Sequence, residues 1–343
     1  MANTSIDVGI GPMSLEVIDA IIEYANDKKR EIMLIASRNQ IESVHLGGGY
    51  VGGLNTDTFA SRVRSKDSGK FIKLCRDHSG PYLNAADKEL SLEKAILNTK
   101  ISLENDINAG FDLLHIDPSA APDPHAAATE LFQHAVDATV KSRRKVEFEF
   151  GSEENVGVAV SADKFEKDIL FAKQFIEPKY VVGQTGSLVK SIYQVGVFNE
   201  KLVKQLVETA DKHNVKLKEH NADYLNKEDV LKKIEIGIGA INIAPEFGVL
   251  HTQVITRLAV KYGYHQYLED FKNYVIRADK WKKWAWGDFD DNHKYLASAH
   301  YHFTSSEYLR LADVLDQLVD DHVYNAIKIN TYEALDKYIV WNY

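Results

Sequence analysis

Eight short apolar runs recur along the 343-residue chain, each followed by a longer stretch with helical spacing, and no other feature restricts its fold so strongly. They occupy residues 7–10, 31–36, 70–75, 111–116, 145–150, 180–183, 215–219 and 240–243. Short runs of this kind, rich in Ile, Val, Leu and Phe, suit strands covered by helices on their outer face, as in a parallel sheet. The stretches between them are amphipathic. Residues 15–28 set Leu15, Ile18, Ile21, Ile22 and Ala25 on one stripe behind Ser14, a good N-cap. Residues 90–109, 126–141, 163–175, 200–213 and 226–236 follow the same pattern. Eight strand-helix units close a (β/α)8 barrel, the TIM-barrel class. An open doubly wound sheet is the alternative, but Gly9-Ile10-Gly11-Pro12 lacks the glycine-rich first turn of that fold.

After residue 243 the strand signal stops. The remainder reads as helices carrying Tyr262, Tyr264, Tyr267, Phe271, Tyr274, Trp281, Trp284 and Trp286. The expected organisation is a barrel over 1–250 and a helical extension over 251–343, packed on the barrel or at the interface of a homo-oligomer.

The formal charge of -9 argues against a nucleic-acid partner, which calls for a basic face. The one dense basic run, 280–283, is offset by Asp279, Asp288, Asp290 and Asp291. A single cysteine, Cys75, excludes an internal disulfide or a cysteine-based zinc cluster and suits a reducing compartment. No leader pattern or run of eighteen apolar residues is present, so a soluble, cytoplasmic protein with no membrane partner is expected.

Barrel enzymes place their reacting groups at the C-terminal ends of the strands. Here those ends are polar on strand after strand: Ser37-Arg38-Asn39-Gln40, Arg76-Asp77-His78, His115-Ile116-Asp117, Glu147-Phe148-Glu149, Gln184, Glu219-His220-Asn221 and Asn242. His78, Glu149 and His220 make a set suited to a divalent ion, zinc first and manganese or cobalt as alternatives. Asp77, beside His78, is either a proton-transfer group or a carboxylate that orients a histidine. The loop Gly47-Gly48-Gly49-Tyr50-Val51-Gly52-Gly53 lacks the Lys-Ser/Thr of a phosphate-binding loop; it is a lid, a close backbone approach to substrate, or a plain long loop.

Several of these segments resemble the tagatose-bisphosphate aldolase non-catalytic subunit family. They are Asn39-Gln40 with the following Gly-Gly-Tyr-x-Gly, Asp77-His78-x-Gly80-Pro81, Ala109-Gly110-Phe111 leading to His115-Ile116-Asp117-x-Ser119, and Glu219-His220-x-x-Asp223-Tyr224. Trp281-Lys282-Lys283 and Tyr301-His302-Phe303 are also similar, so the resemblance covers nearly the whole chain. It extends to the class II, metal-dependent aldolases. It implies that Asp77 is a proton-transfer residue, that His78 and His220 are metal ligands, and that Asn242 faces the substrate. Glu147-Phe148-Glu149-Phe150-Gly151, with Glu153-Glu154, is similar to their Glu-x-Glu-x-Gly segment, making Glu149 a catalytic carboxylate as well as a ligand. Asn39, Gln40, Arg76, Asp117 and Gln184 complete the expected substrate contacts.

Two departures stand out. Gln184 occupies the place of a metal histidine, and the Gly-Gly-Ser phosphate cradle near the strand-seven histidine is absent. The resemblance implies a metal-dependent aldolase-type enzyme acting on a ketose or ketose phosphate. Its alternatives are a ketose 4-epimerase using the same retro-aldol step and a non-catalytic subunit stabilising a partner aldolase.

Overall fold

The structure, a computed structural model, describes residues 5–152, 157, 160–285, 287, 289–317 and 322–340. Eight parallel strands close a barrel: β1 (Asp7–Ile10), β2 (Ile32–Ser37), β3 (Ile72–Ser79), β4 (Leu113–Ile116), β5 (Glu147–Phe150), β6 (Tyr180–Val182), β9 (Lys216–Glu219) and β10 (Ala240–Ile243). Two further strands, β7 (Val189–Lys190) and β8 (Tyr193–Gln194), form an antiparallel hairpin after β6 that the apolar pattern does not announce. The (β/α)8 class expected from the sequence is the fold observed.

The helices start where their caps direct. Ser14 accepts from Val17 N–H to open α1 (Leu15–Lys28), and the side chains of Ser91, Asp123, Ser161, Asn199 and Asn226 do the same for α3 (Leu92–Ala109), α4 (Pro124–Ser142), α5 (Ala162–Ala172), α6 (Glu200–Lys212) and α7 (Lys227–Ile236). The polar helix α2 (Thr56–Lys66) escapes the apolar pattern because it buries little beyond Phe59, Ala60 and Val63. Asn55 and Thr58 form a capping box at its start.

Strand alternation sorts the interior into layers. Met33, Ile35, Cys75, Leu113, Tyr180 and Ala240 form a small apolar floor inside the barrel, while Ile32, Leu34 and Ala36 face the helices. Two residues further on, along the same inward face, come Asp77 after Cys75, His115 after Leu113 and Asn242 after Ala240. The polar mouth thus rests on an apolar floor.

Past β10 the chain is helical: α8 (Pro245–Lys261), α9 (His265–Arg277), α10 (Asp291–Ser298), α11 (Ser306–Asp316) and α12 (His322–Tyr338). Phe271, Tyr295, Phe303 and Tyr308 pack into the same apolar cluster as the barrel-facing side of α1. Tyr24 Oη on α1 donates to Asp336 on α12, and His251 on α8 links Ser14 to Tyr308. Of the tail aromatics singled out in the sequence, Trp286 lies outside the described residues, as does Asp288. Among the described residues, no helix is long and apolar enough to cross a membrane.

Candidate metal centre at the barrel mouth

At the end of β3, adjacent residues in a regular strand would point to opposite faces. Instead the register against β4 shifts between Arg76 and Ser79, and His78 takes φ 50, in the left-handed region. Asp77 and His78 therefore reach the mouth together, with His78 Nε2 3.6 Å from Asp77 Oδ2. A side chain is excluded at Gly80, where a Cβ would fall 1.6 Å from the Asp117 carbonyl oxygen. That close approach lets β3 meet the end of β4.

Four side chains converge: Asp77, His78, His115 and His220 each present a ligand atom, all within 4.8 Å of one another. The three imidazoles face each other with ring centroids 5.0 to 5.4 Å apart. Asp117 Oδ2 lies 2.6 Å from His78 Nδ1 and fixes that ring with Nε2 turned to the cluster. The His78 backbone N–H donates to His115 Nδ1 at 3.2 Å, the ring atom that also faces Asp77 at 3.4 Å, while His115 Nε2, beside Gly151, is buried with no hydrogen-bond partner among the described residues. A carboxylate and three imidazoles, with ligand atoms all within 4.8 Å of one another, are a donor set that fits a borderline divalent cation.

Glu149 stands behind this cluster. Its Oε2 is 2.5 Å from Lys218 Nζ and its Oε1 is 2.9 Å from His220 Nε2, both pairs buried. Lys218 and His220 share the inward face of β9, whereas Glu219 between them points outward to Thr185 and Lys233. Asn242 Nδ2 lies 3.1 Å from His220 Nε2 and 3.4 Å from Asp77 Oδ1.

The local charges set the proton positions. Burial pushes the Asp77 carboxyl up, but His78, His220 and His115 outweigh it and hold Asp77 well below the usual carboxylate range. Burial likewise opposes ionisation of Glu149, yet Lys218, His115 and His220 bring it down to about 2. For His78 the burial penalty is overcome by Asp77 and Asp117, which raise it to about 9. His220 moves the other way, lowered chiefly by burial.

The remaining candidates divide. Gln40 lines a mouth cavity of about 330 Å3 with Asp77, His78, His220 and Asn242; its Oε1 accepts from Ser37 N–H. Gln184 and Asp117 line an adjoining cavity of about 290 Å3 with His115. Asn39 instead ties loops together, donating to the Leu83 carbonyl and accepting from Ala85 N–H. Arg76 is turned away from the mouth: fully buried, it pairs with both oxygens of Asp106 and donates to the carbonyls of Ala36 and Ile41. The glycine loop approaches the chain itself, since a Cβ on Gly49 would fall 2.1 Å from the Gln40 carbonyl oxygen. Its Tyr50 lines the mouth cavity. Glu153 and Glu154 lie outside the described residues.

Sequence reasoning gave no role to His115, Lys218 or Asp223, or to the tail residues Lys283, Trp284, His300 and Tyr301, which also line the mouth cavity. The spacing of two between His115 and Asp117, and between Lys218 and His220, was the available signal for the first pair. The tail residues reach the mouth only through tertiary packing; Lys283 and Tyr301 fall in segments of the motif resemblance, which gives them no role.

No protein-family model and no curated protein matches the chain. Solved structures do match in shape. A probable tagatose 6 phosphate kinase from Sinorhizobium meliloti 1021 superposes with TM-score 0.78 at 17% identity, over 97% of this chain and 98% of that one. The YdjI aldolase from Escherichia coli K12 gives 0.55 at 15% identity, over 98% and 92%. A fructose-bisphosphate aldolase from Campylobacter jejuni gives 0.59 at 11% identity, over 97% and 88%. The chain has the fold of these proteins along almost its whole length, tail included.

Proposed function

We propose that the chain is a metal-dependent aldolase-type enzyme acting on a ketose or ketose phosphate, with its centre at Asp77, His78, His115 and His220. The observation that carries this reading is the convergence of those four side chains, whose ligand atoms all lie within 4.8 Å of one another. The shared fold with two aldolases and the motif resemblance to the tagatose-bisphosphate aldolase non-catalytic subunit family both support it.

His78, His115 and His220 would hold the ion, with Asp77 beside it and Glu149 orienting His220 from behind. A divalent ion there supplies a Lewis acid for ketose carbonyl and hydroxyl oxygens. Asp77 takes the proton from the C4 hydroxyl as the C3–C4 bond breaks; C4 becomes an aldehyde, and the bond's electron pair passes to C3 and delocalises towards the C2 carbonyl. Asn242 donates to an oxygen of the bound sugar or to Asp77 itself. Glu149, charge-paired to Lys218, keeps its proton off, so its part is to hold His220.

A ketose 4-epimerase is the second reading. Tyr50, Trp284 and Tyr301 wall the mouth, and a retained aldehyde fragment that turns before recombining would give epimerisation.

The test is the purified chain assayed alone against ketoses and ketose phosphates, with and without chelator, following cleavage and C4 inversion separately. Asp77→Asn should cut turnover by at least about a hundredfold while metal content, read by elemental analysis, stays. His220→Ala should lose metal as well. Activity that appears only on adding a partner aldolase would instead identify a non-catalytic subunit.

A further inference from the structure

Barrels that bind sugar phosphates commonly place the phosphate between the loops after the last two strands and a helix N-terminus, where backbone N–H groups point at the anion. In this chain that corner lies between β9 and α8, and a carboxylate of the protein already fills it. Asp223 Oδ1 accepts from Ala244 N–H and Glu246 N–H, each at 2.9 Å, at the start of α8. Pro245 between them has no N–H to give. Ala244 offers no capping side chain of its own, so Asp223 serves in its place.

A second acidic group stands beside it. Glu246 accepts from Tyr224 N–H and is held by Lys337 and Tyr338. Asp223 is 1% exposed and lies on the wall of the mouth cavity. Its Oδ2 is buried with no hydrogen-bond partner among the described residues. A buried orphan oxygen of this kind calls for a ligand that brings a hydrogen. A sugar hydroxyl brings one. A phosphate dianion brings only acceptors, and it would meet the Asp223 carboxylate with the helix-start donors already spent.

We infer that the corner between β9 and α8 receives a hydroxyl-bearing end of the sugar and excludes phosphate, with Asp223 as the residue that makes this choice. The substrate is therefore a ketose left unphosphorylated at the end that enters this corner. The inference rests on the ketose reading for the identity of the sugar, but the exclusion of phosphate does not depend on it. The two lysines that line the same cavity, Lys190 and Lys283, come from the β7–β8 hairpin and the tail rather than from this corner.

The experiment is equilibrium binding by calorimetry at about pH 8.5, where Asp223 is ionised, of D-tagatose and D-fructose, each with and without a 6-phosphate, and of inorganic phosphate, to the metal-loaded wild type and to Asp223→Asn. Asparagine keeps the capping oxygen and removes the charge. The wild type should prefer the free ketose by at least about tenfold, and Asp223→Asn should narrow or reverse that preference. Inorganic phosphate should not compete with the free ketose in the wild type. Tighter binding of the 6-phosphate by the wild type, with a preference that Asp223→Asn leaves unchanged, overturns the inference. So does inorganic phosphate binding to the wild type that perturbs the Ala244 and Glu246 amide resonances. Should no sugar bind either protein while those two amides respond to phosphate only in Asp223→Asn, the exclusion stands and the ketose reading falls. Far-ultraviolet circular dichroism and urea unfolding of Asp223→Asn separate loss of charge from loss of fold.

Discussion

Single residues at the mouth act in a hierarchy set by what each one touches. Asp117 never meets the cluster's centre, yet it fixes the His78 ring at 2.6 Å. Replacing it by Asn should weaken metal affinity by about 10–100-fold while leaving the fold intact, read by competition with a chromogenic chelator; unchanged affinity would mean that His78 needs no such support. Asp223 allows a stability prediction. Burial, with Glu246 adding to it, pushes its carboxyl up to about 7, well above the usual carboxylate range. A raised acid holds its proton more tightly in the fold than in the unfolded chain, so its contribution is full below about pH 4 and is lost as pH rises through about 7, on the order of 4 kcal/mol in all. Asp223→Asn lacks this titration. Relative to the wild type it should gain stability in urea as pH is raised over that window, and a pH-independent difference would remove the assignment. Asp77, His78 and His220 were legible as a site in the sequence because strand ends converge in a barrel. The inward turn of both Asp77 and His78 was not, because a register shift leaves no mark on residue identity.

At the level of elements, β3 carries most of the burden. The apolar pattern over 70–75 locates its body but stops short of its last residues, since Arg76 to Ser79 are polar and belong to the strand through pairing with β2 and β4. Outward from this strand, Arg76 meets Asp106 of α3 with neither side chain exposed. Burying such a pair is costly unless every hydrogen bond is made, and here the guanidinium finds two carboxylate oxygens and two backbone carbonyls. Asp106→Ala leaves a charged arginine in the core and should cost about 3–5 kcal/mol by urea denaturation, with the proposed metal affinity unaltered once folded. A loss below about 1 kcal/mol would show the arginine escaping to solvent. From sequence alone Arg76 reads as a substrate contact, because nothing in the chain distinguishes an arginine facing inward from one facing α3.

Across the whole molecule, barrel and tail share one apolar cluster running from Ile10 and Val17 through Phe247 to Phe271, Leu311 and Tyr338. The expected consequence is one cooperative unfolding transition in urea, coincident by far-ultraviolet circular dichroism and tryptophan fluorescence; Trp281 and Trp284 report the tail. Leu311→Ala should shift both signals together by about 2–5 kcal/mol. Two separate transitions would show that the tail folds as its own unit. The eightfold alternation made the barrel legible, since burial of a parallel sheet dictates composition strand by strand. The tail's place was hidden, as aromatics at helical spacing mark a core without naming what they cover.

The cavity wall draws on two sources. The groups that converge at its base come from barrel strands and their ends, while Lys283, Trp284, His300 and Tyr301 arrive from beyond residue 280. Under the proposed function, reactivity and choice of ligand can drift separately: variation confined to the last sixty or so positions retools which molecules are admitted, while the cluster at the base is inherited unchanged. A library restricted to those four tail positions is the natural starting material for redirecting this scaffold.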